Sequence, residues 1–443
     1  MRVCYTGIDF RLGSIVKLRR LIPFLDPSVQ DWSSEARWLH WLTFFWLSAG
    51  LVILFSATLH MDQGGANEGL SYFVRQLLWV SLGLVVFYFA VHTPLQRSLA
   101  VARVTFFVLL VLIFATRIPG VGASVNGASR WILIGPVPLQ PSELMKPFLI
   151  LQGASIFGRW SRLPMRDRLS WLGLFAATLF AILIQPNLST TALCGITLWL
   201  VALAAGLSLQ SLGLTALAGA GLAALSIFRN EYQMRRMLSF TNPWADSLGD
   251  GYQLSQSLLA VGSGGVTGAG FGASQQKLSY LPFQHTDFIF SIFAEEFGLL
   301  GGLSLLLLLF AYSLLALRVV AKTMDPTHRL IGTGAMVVLI GQALINIGVA
   351  IGVLPTTGLP FPLLSYGGSS MIASLAISGL LIRVARESQG AEVVPLQAEP
   401  AFGGAPHLKS LSSAAALASE QDMLAQKRQA WAKQRKTRRR KRR

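Results

Sequence analysis

Apolar residues in this chain gather into long runs that recur from Trp38 to Val384. A run of about twenty such residues, wound as an α-helix, is long enough to cross a bilayer. Read by apolar length, the spans fall near 38–59, 73–92, 99–117, 142–158, 169–186, 188–206, 209–228, 286–317, 329–352 and 364–386. The pattern predicts an all-α polytopic membrane protein. About ten transmembrane helices form one bundle, with a large extracytoplasmic loop between the seventh and eighth. Residues 1–37 are read as a cytoplasmic N-terminal segment, 38–386 as the membrane domain, and 387–443 as a basic tail without stable structure.

The polar positions orient the bundle. Lys and Arg collect in the N-terminal segment (Arg2, Arg11, Lys17, Arg19, Arg20, Arg37), in loop 158–168 (Arg159, Arg162, Arg166, Arg168), in loop 318–329 (Arg318, Lys322, Arg329) and in the tail. With ten spans all four segments fall on one side, which the positive-inside rule makes cytoplasmic. Segments 118–141, 229–285 and 353–363 then face outward. They are rich in glycine and proline, as expected for turns and re-entrant backbone.

Composition agrees: of 443 residues, 53% are hydrophobic and only 13% charged, about half the charged fraction of a soluble chain. The first 37 residues are mixed and charged, and the first apolar span is too long for the core of a cleavable signal peptide. Two cysteines, Cys4 and Cys194, support neither a disulfide framework nor redox chemistry. Much of the net charge of +17 lies in the closing run QKRQAWAKQRKTRRRKRR. On a membrane protein that run most simply meets anionic lipid headgroups; no folded nucleic-acid module accompanies it.

Candidate chemistry concentrates in 281–298, LPFQHTDFIFSIFAEEFG. Asp287, Glu295 and Glu296 sit in a run that otherwise reads as a membrane helix, and ionisable residues there are functional candidates by default. Thr286 or His285 could cap the helix, which puts Asp287 at its mouth, as a first-turn acid, a general base or a ligand for a divalent cation such as Mg²⁺. Glu295 and Glu296 lie two turns deeper, where a structural ion pair is as good a reading as catalysis. Arg130 and Trp131 precede Gln140-Pro141-Ser142-Glu143, in which Ser142 is a good cap and Glu143 can pair with Lys146 one turn on. That group is either a well-capped helix with a snorkelling lysine or the polar wall of a substrate cavity. Arg130, Arg235, Arg236 and Lys277 are outward cations suited to a pyrophosphate, although singly each is more often a headgroup contact. Arg75 opens the second span beside Gln76, as interfacial arginines commonly do. Ser365 and Ser369, in SYGGSS, permit close helix approach or line a ligand. There is no zinc-type cluster, phosphate-binding glycine loop or nucleophile elbow, so nucleotide-driven transport by this chain alone is unsupported.

Taken together, GASRWI with LQPSELMKP, QKLSYLPFQHTDFIFSIFAEEFGLLG and INIGVAIGVLPTTGLPFPLLSYGGSS resemble the SEDS family of bacterial cell-wall polymerases, the FtsW, RodA and SpoVE group. The resemblance covers roughly residues 38–386, and the LINIGV and PTTG wording leans toward the FtsW branch. It implies ten helices with both termini cytoplasmic, and polymerisation of lipid II into glycan strands at the outer face of the bacterial cytoplasmic membrane. It also implies work beside a class B penicillin-binding protein (an FtsI-like transpeptidase) and other division proteins at the septum. The family's essential aspartate corresponds to Asp287, its RWI tryptophan to Trp131, and the acid and lysine of its QPSE…K motif to Glu143 and Lys146. Two departures stand out. The family's QPDxGT is here Gln185-Pro186-Asn187-Leu188-Ser189-Thr190, and its acidic residue before HTDF is replaced within Phe283-Gln284.

The expected reaction is glycosyl transfer between two polyprenyl-linked sugars, with Asp287 as general base. Arg75, Arg130, Trp131, Glu143, Lys146, Lys277, His285, Ser365 and Ser369 are the expected substrate contacts. Protein cations, or a Mg²⁺ held partly by Asp287, would stabilise the departing pyrophosphate, with no nucleotide consumed. The alternatives are a lipid II flippase, an elongation polymerase of the RodA type, and a scaffold that docks division proteins through its tail.

Overall fold

The computed structural model describes residues 26–58, 68–125, 128–135, 137–278 and 280–388. Residues 1–25 and 389–443, and with them most of the expected cytoplasmic segments, lie outside the described residues. The helices are α1 (Ser34–Thr58), α2 (Glu68–His92), α3 (Leu95–Ala115), α4 (Pro141–Phe157), α5 (Met165–Ile184), α6 (Leu188–Ala204), α7 (Leu209–Arg229), α8 (Glu231–Thr241), α9 (Tyr252–Ser263), α10 (Ile289–Lys322), α11 (Pro326–Ala350) and α12 (Gly368–Glu387). Among the described residues, eight are long and apolar enough to cross a membrane. The 17-residue helices α4 and α6 stand among them and bring the count to the expected ten.

Local chemistry sets several helix starts. Asp325 caps α11 by accepting from His328 N at 2.8 Å, with Pro326 at the first helical position. Asn187 and Asn230 cap α6 and α8 in the same way. Ser142 does not cap α4: Gln140 is the cap residue, Pro141 follows, and Ser142 is already helical. α1 begins four residues earlier than its apolar run, at Ser34, where Ser33 Oγ accepts from Ala36 N at 3.1 Å.

α12 is packed against α2, α4, α11 and α1, and α11 against α10, α6 and α4. α4 and α12 are the most enclosed, whereas α7 is almost entirely uncovered. Its apolar side chains, such as Leu214, Leu217 and Phe228, suit contact with hydrocarbon.

Two features depart from the continuous-span reading. First, segment 118–141 is not irregular: β1 (Gly122–Val125), β2 (Ala128–Ile134) and β3 (Val137–Leu139) form an antiparallel sheet in the order β1-β2-β3. Second, α10 is broken at Gly298, whose φ of 64° and ψ of −162° are open only to glycine. A side chain there would begin 2.4 Å from Gly268 N. The glycine-rich loop beside it takes up the backbone groups freed by the break. Ala269 N donates to Glu295 O at 3.0 Å, Gly270 N to Glu296 O at 3.0 Å and Leu299 N to Gly265 O at 2.9 Å. Irregular backbone at membrane depth needs such internal partners.

The sheet, the α5–α6 turn, α8, the 281–288 turn and loop 351–367 meet at one end of the bundle. The opposite end carries the Lys322–Glu35 and His92–Asp26 pairs.

Candidate active site

Asp287 sits one residue before the cap of α10, Phe288, and not within its first turn. Neither His285 nor Thr286 caps the helix. What holds the segment is a set of bonds to three successive carbonyls. Tyr366 N donates to His285 O at 2.8 Å, Ser365 Oγ to Thr286 O at 2.5 Å, and Asn346 Nδ2 to Asp287 O at 2.8 Å. Each partner is itself fixed. Ser365 Oγ accepts from Phe361 N at 2.8 Å, and Gln76 Nε2 donates to Ser365 O at 3.3 Å. Asn346 Nδ2 also reaches Leu359 O at 2.9 Å. One turn away on the same face of α11, Gln342 Nε2 donates to Pro360 O at 2.6 Å. Buried amide side chains with carbonyl partners give a rigid frame, because loss of any one strands a polar group in a dry interior.

The half-buried Asp287 side chain faces Gly358 of the PTTG loop. Its Oδ2 lies 3.5 Å, and Arg236 Nη1 3.8 Å, from the point where a Gly358 side chain would begin. Gly358 has φ of +71° and leaves that space clear. Burial pushes the Asp287 carboxyl up to about 6, against the opposing pull of the Arg236 and Arg130 charges. Both guanidiniums are pinned. Arg236 Nη1 donates to Thr356 O at 3.2 Å and its guanidinium stacks on Tyr232, while Arg130 Nε donates to Gln185 O at 3.0 Å and its Nη2 to Pro186 O. Burial lowers the Arg130 pKa, yet a guanidinium stays charged at neutral pH.

A second group adjoins the turn. The His285 ring lies 5.2 Å from Tyr72 and 5.6 Å from Tyr366, centroid to centroid. Burial lowers its pKa to about 4, so the imidazole is neutral at physiological pH. Arg75 is exposed in the third turn of α2, and its charge opposes the upward push that burial gives the Tyr366 hydroxyl.

Several expected contacts lie elsewhere. Lys277 does not face outward: it is 1% exposed and its Nζ donates to Glu296 at 3.1 Å and to Ser56 Oγ at 3.3 Å. Glu296 also accepts from Ser56 Oγ at 2.6 Å, while Glu295 accepts from Ser274 Oγ and from Gln275 N at 2.9 Å. Both acids therefore clamp loop 274–277 to the broken helix. Lys146 does not snorkel. It is 2% exposed, paired with Glu143 at 2.7 Å and bonded to Gln342 Oε1 at 2.9 Å, so through Gln342 this pair supports loop 359–360. Trp131 follows Arg130 on β2 at a bulge: Trp131 pairs with Ala123 and Ser129 with Ser124, which leaves Arg130 as the extra residue. Ser365 and Ser369 are buried; Ser369 Oγ accepts from Gln140 N at 2.9 Å. Both hold backbone.

For a divalent cation the fit is poor. Among the described residues no group of three or more His, Cys, Asp or Glu side chains could hold a metal ion, and the charged neighbours of Asp287 are cations. The positive charge this site offers an anion is that of its arginines. The sequence reading missed Tyr72, Tyr366, Gln342 and Ser56; the polar Gln342 and Asn346, four apart in an apolar span, were the available signal.

Known proteins share this arrangement of helices. Residues 37–390 match the FtsW/RodA/SpoVE family, described as "Cell cycle protein". A Synechocystis sp. protein named "Probable peptidoglycan glycosyltransferase FtsW" is 54% identical over 379 residues, covering 86% of this chain and 96% of that protein. A protein of the same name from Halothiobacillus neapolitanus is 39% identical over 354 residues, covering 77% and 84%. Among solved structures, a chain from "Structural coordination of polymerization and crosslinking by a peptidoglycan synthase complex" superposes with a TM-score of 0.64 at 28% identity, covering 79% of this chain and 98% of that one. The rod shape determining protein RodA of Thermus thermophilus gives 0.58 at 28% identity, covering 79% and 96%. With its length matched from the first span to the last, this multi-pass chain belongs to the FtsW/RodA/SpoVE family of membrane proteins.

Proposed function

We propose that the chain is a peptidoglycan glycosyltransferase that polymerises lipid II into β-1,4 glycan strands during septal cell-wall synthesis. The observation that carries the chemistry is Asp287, a carboxylate titrating near 6, held by three carbonyl bonds beside two pinned guanidiniums. A base with that pKa is ionised at neutral pH and still basic enough to accept a hydroxyl proton. In this reading Asp287 takes the proton of the acceptor GlcNAc 4-hydroxyl as its oxygen attacks the donor's anomeric carbon. The pyrophosphate leaves from the opposite face, toward Arg236 and Arg130, and the centre inverts. Asp287 Oδ2 and Arg236 Nη1 are no more than about 7 Å apart, so base and cation share the space before Gly358. Charge developing on the pyrophosphate would meet donors that need no reorganisation.

The same reading places the site end of the bundle at the outer face of the cytoplasmic membrane, with both termini in the cytoplasm. That orientation is supported by the Lys and Arg of the opposite end. The partners are lipid II, the growing lipid-linked strand, a class B penicillin-binding protein and other division proteins; the likeness to a chain of a peptidoglycan synthase complex supports a crosslinking partner. Anionic lipids are the proposed partner of the basic tail. No step is routed through Mg²⁺. The test is incubation of purified protein with lipid II, with and without the cognate transpeptidase. Glycan chains are expected from the wild type and none from Asp287→Ala; equal product from both would refute the assignment.

A further inference from the structure

A polymerase of this kind handles two pyrophosphates at once, and they have different fates. The donor's pyrophosphate is attached to the reacting carbon. The acceptor's stays intact, a full disaccharide away from its reacting hydroxyl. The structure carries two cation sets on different elements that answer to these two positions.

The first set is Arg130 of β2 and Arg236 of α8. Their charges act directly on Asp287, and Arg236 shares the space before Gly358 with that carboxylate. Only a phosphate adjacent to the bond being broken needs to be so close to the base. The second set is Arg75 of α2. Its neighbour Gln76 donates to Ser365 O at 3.3 Å and accepts from Gly367 N at 3.2 Å, which ties this part of α2 to the residues on either side of Tyr366. The ring of Tyr366 contacts His285 and, 5.3 Å away, Tyr72, so this set is joined to the reacting turn through an aromatic layer two residues from Asp287. Arg75 is exposed and Tyr366 presents a phenolic hydroxyl beside it, a pair of donors suited to phosphate oxygens. The neutral His285 adds no competing charge.

We propose that Arg75 and Tyr366, backed by Tyr72 and His285, form a separate anion subsite for the pyrophosphate of the lipid-linked acceptor, while Arg130 and Arg236 hold the donor's. The proposal rests on the glycosyl-transfer reading above. In the step it assigns, the bond from the donor's anomeric carbon to its pyrophosphate oxygen breaks and the electron pair leaves with that oxygen. The bond from the acceptor O4 to the same carbon forms, and the O4 proton passes to Asp287. The acceptor's pyrophosphate at Arg75 is unchanged.

Two analogues separate the roles. A 4-deoxy lipid II can donate but not accept, and a lipid II whose anomeric oxygen is replaced by methylene can accept but not donate. Wild-type protein should join the pair into one tetrasaccharide on the methylene analogue. Arg75→Gln should raise KM for the acceptor analogue by about tenfold, the loss expected for one charge-assisted hydrogen bond, with donor KM and kcat within about twofold. Arg75→Lys should recover part of that loss, and Arg236→Gln should act on kcat and the donor. An acceptor KM unchanged in an Arg75→Gln protein of wild-type melting temperature would make Arg75 a lipid-headgroup anchor and overturn the proposal, as would an equal rise in both KM values. Failure of the wild type to join the pair would instead overturn the glycosyl-transfer reading, and this proposal with it.

Discussion

Arg236→Gln removes one positive charge from the flank of Asp287 while leaving the Asn346, Ser365 and Tyr366 bonds to the reacting turn in place. The two charged atoms are no more than about 7 Å apart. At that separation and an effective dielectric constant of about 20 their attraction is at least about 2.4 kcal/mol, which partial exposure cuts to roughly 1 kcal/mol. Arg236 holds the Asp287 pKa down against the upward push of burial, so its loss moves that pKa further up, by roughly one pH unit. A general base works in its ionised form, so activity falls as pH drops through its pKa. The acidic limb of kcat/KM for lipid II polymerisation should therefore sit near pH 6 in the wild type and move about one unit higher in the variant. At pH 6 the ionised fraction falls from about one half to about one tenth, while at pH 8 both proteins are about nine-tenths ionised or more. The assay is glycan formation by purified protein between pH 5 and 8.5. An acidic limb that stays where it was, or moves to lower pH, would refute the claim that Arg236 acts on Asp287 through its charge.

The same pKa makes a stability prediction. A carboxyl raised from 3.8 to about 6 disfavours its own ionised form by about 3 kcal/mol in the folded protein. That cost is absent below about pH 4 and complete above about pH 6, so Asp287→Asn should unfold at a higher temperature than wild type at pH 8 and lose the advantage near pH 4. Lys277→Met or Glu296→Leu alone strands a buried charge and should destabilise by about 3–5 kcal/mol, while the double variant recovers most of the loss; additive effects in denaturant unfolding would deny the pairing. Gly298→Ala forces a side chain into a glycine-only conformation against Gly268 N and should cost about 3 kcal/mol or more, read as lost melting temperature. A wild-type melting curve would mean that the break in α10 is not needed.

Spans were legible because a membrane helix must be apolar along its whole length, a constraint that a linear sequence displays directly. The Glu143–Lys146 pair was legible because three-residue spacing brings side chains together on any helix. The break in α10 was not, although both glycine stretches were plain to see. Its meaning lies in bonds between 265–270 and 295–300, and only the fold brings those together. Lys277 shows the same limit. A lysine between glycine-rich and aromatic stretches reads as exposed, and its partners Ser56 and Glu296 are set by packing. The three carbonyl bonds behind Asp287 come from α11 and loop 365–366, far along the chain, so the sequence could point to the aspartate but not to what aims it. The sheet was hidden for a different reason: its strands are three to seven residues long and separated by residues that equally suit turns.

Asp287→Asn offers the most direct check on the account, since it keeps the shape of the side chain and its carbonyl bond to Asn346 while removing the base. With lipid II at pH 7.5, the variant should retain wild-type substrate binding and lose at least about a hundredfold in rate, the usual contribution of a positioned general base. A variant that made glycan at the wild-type rate would contradict it.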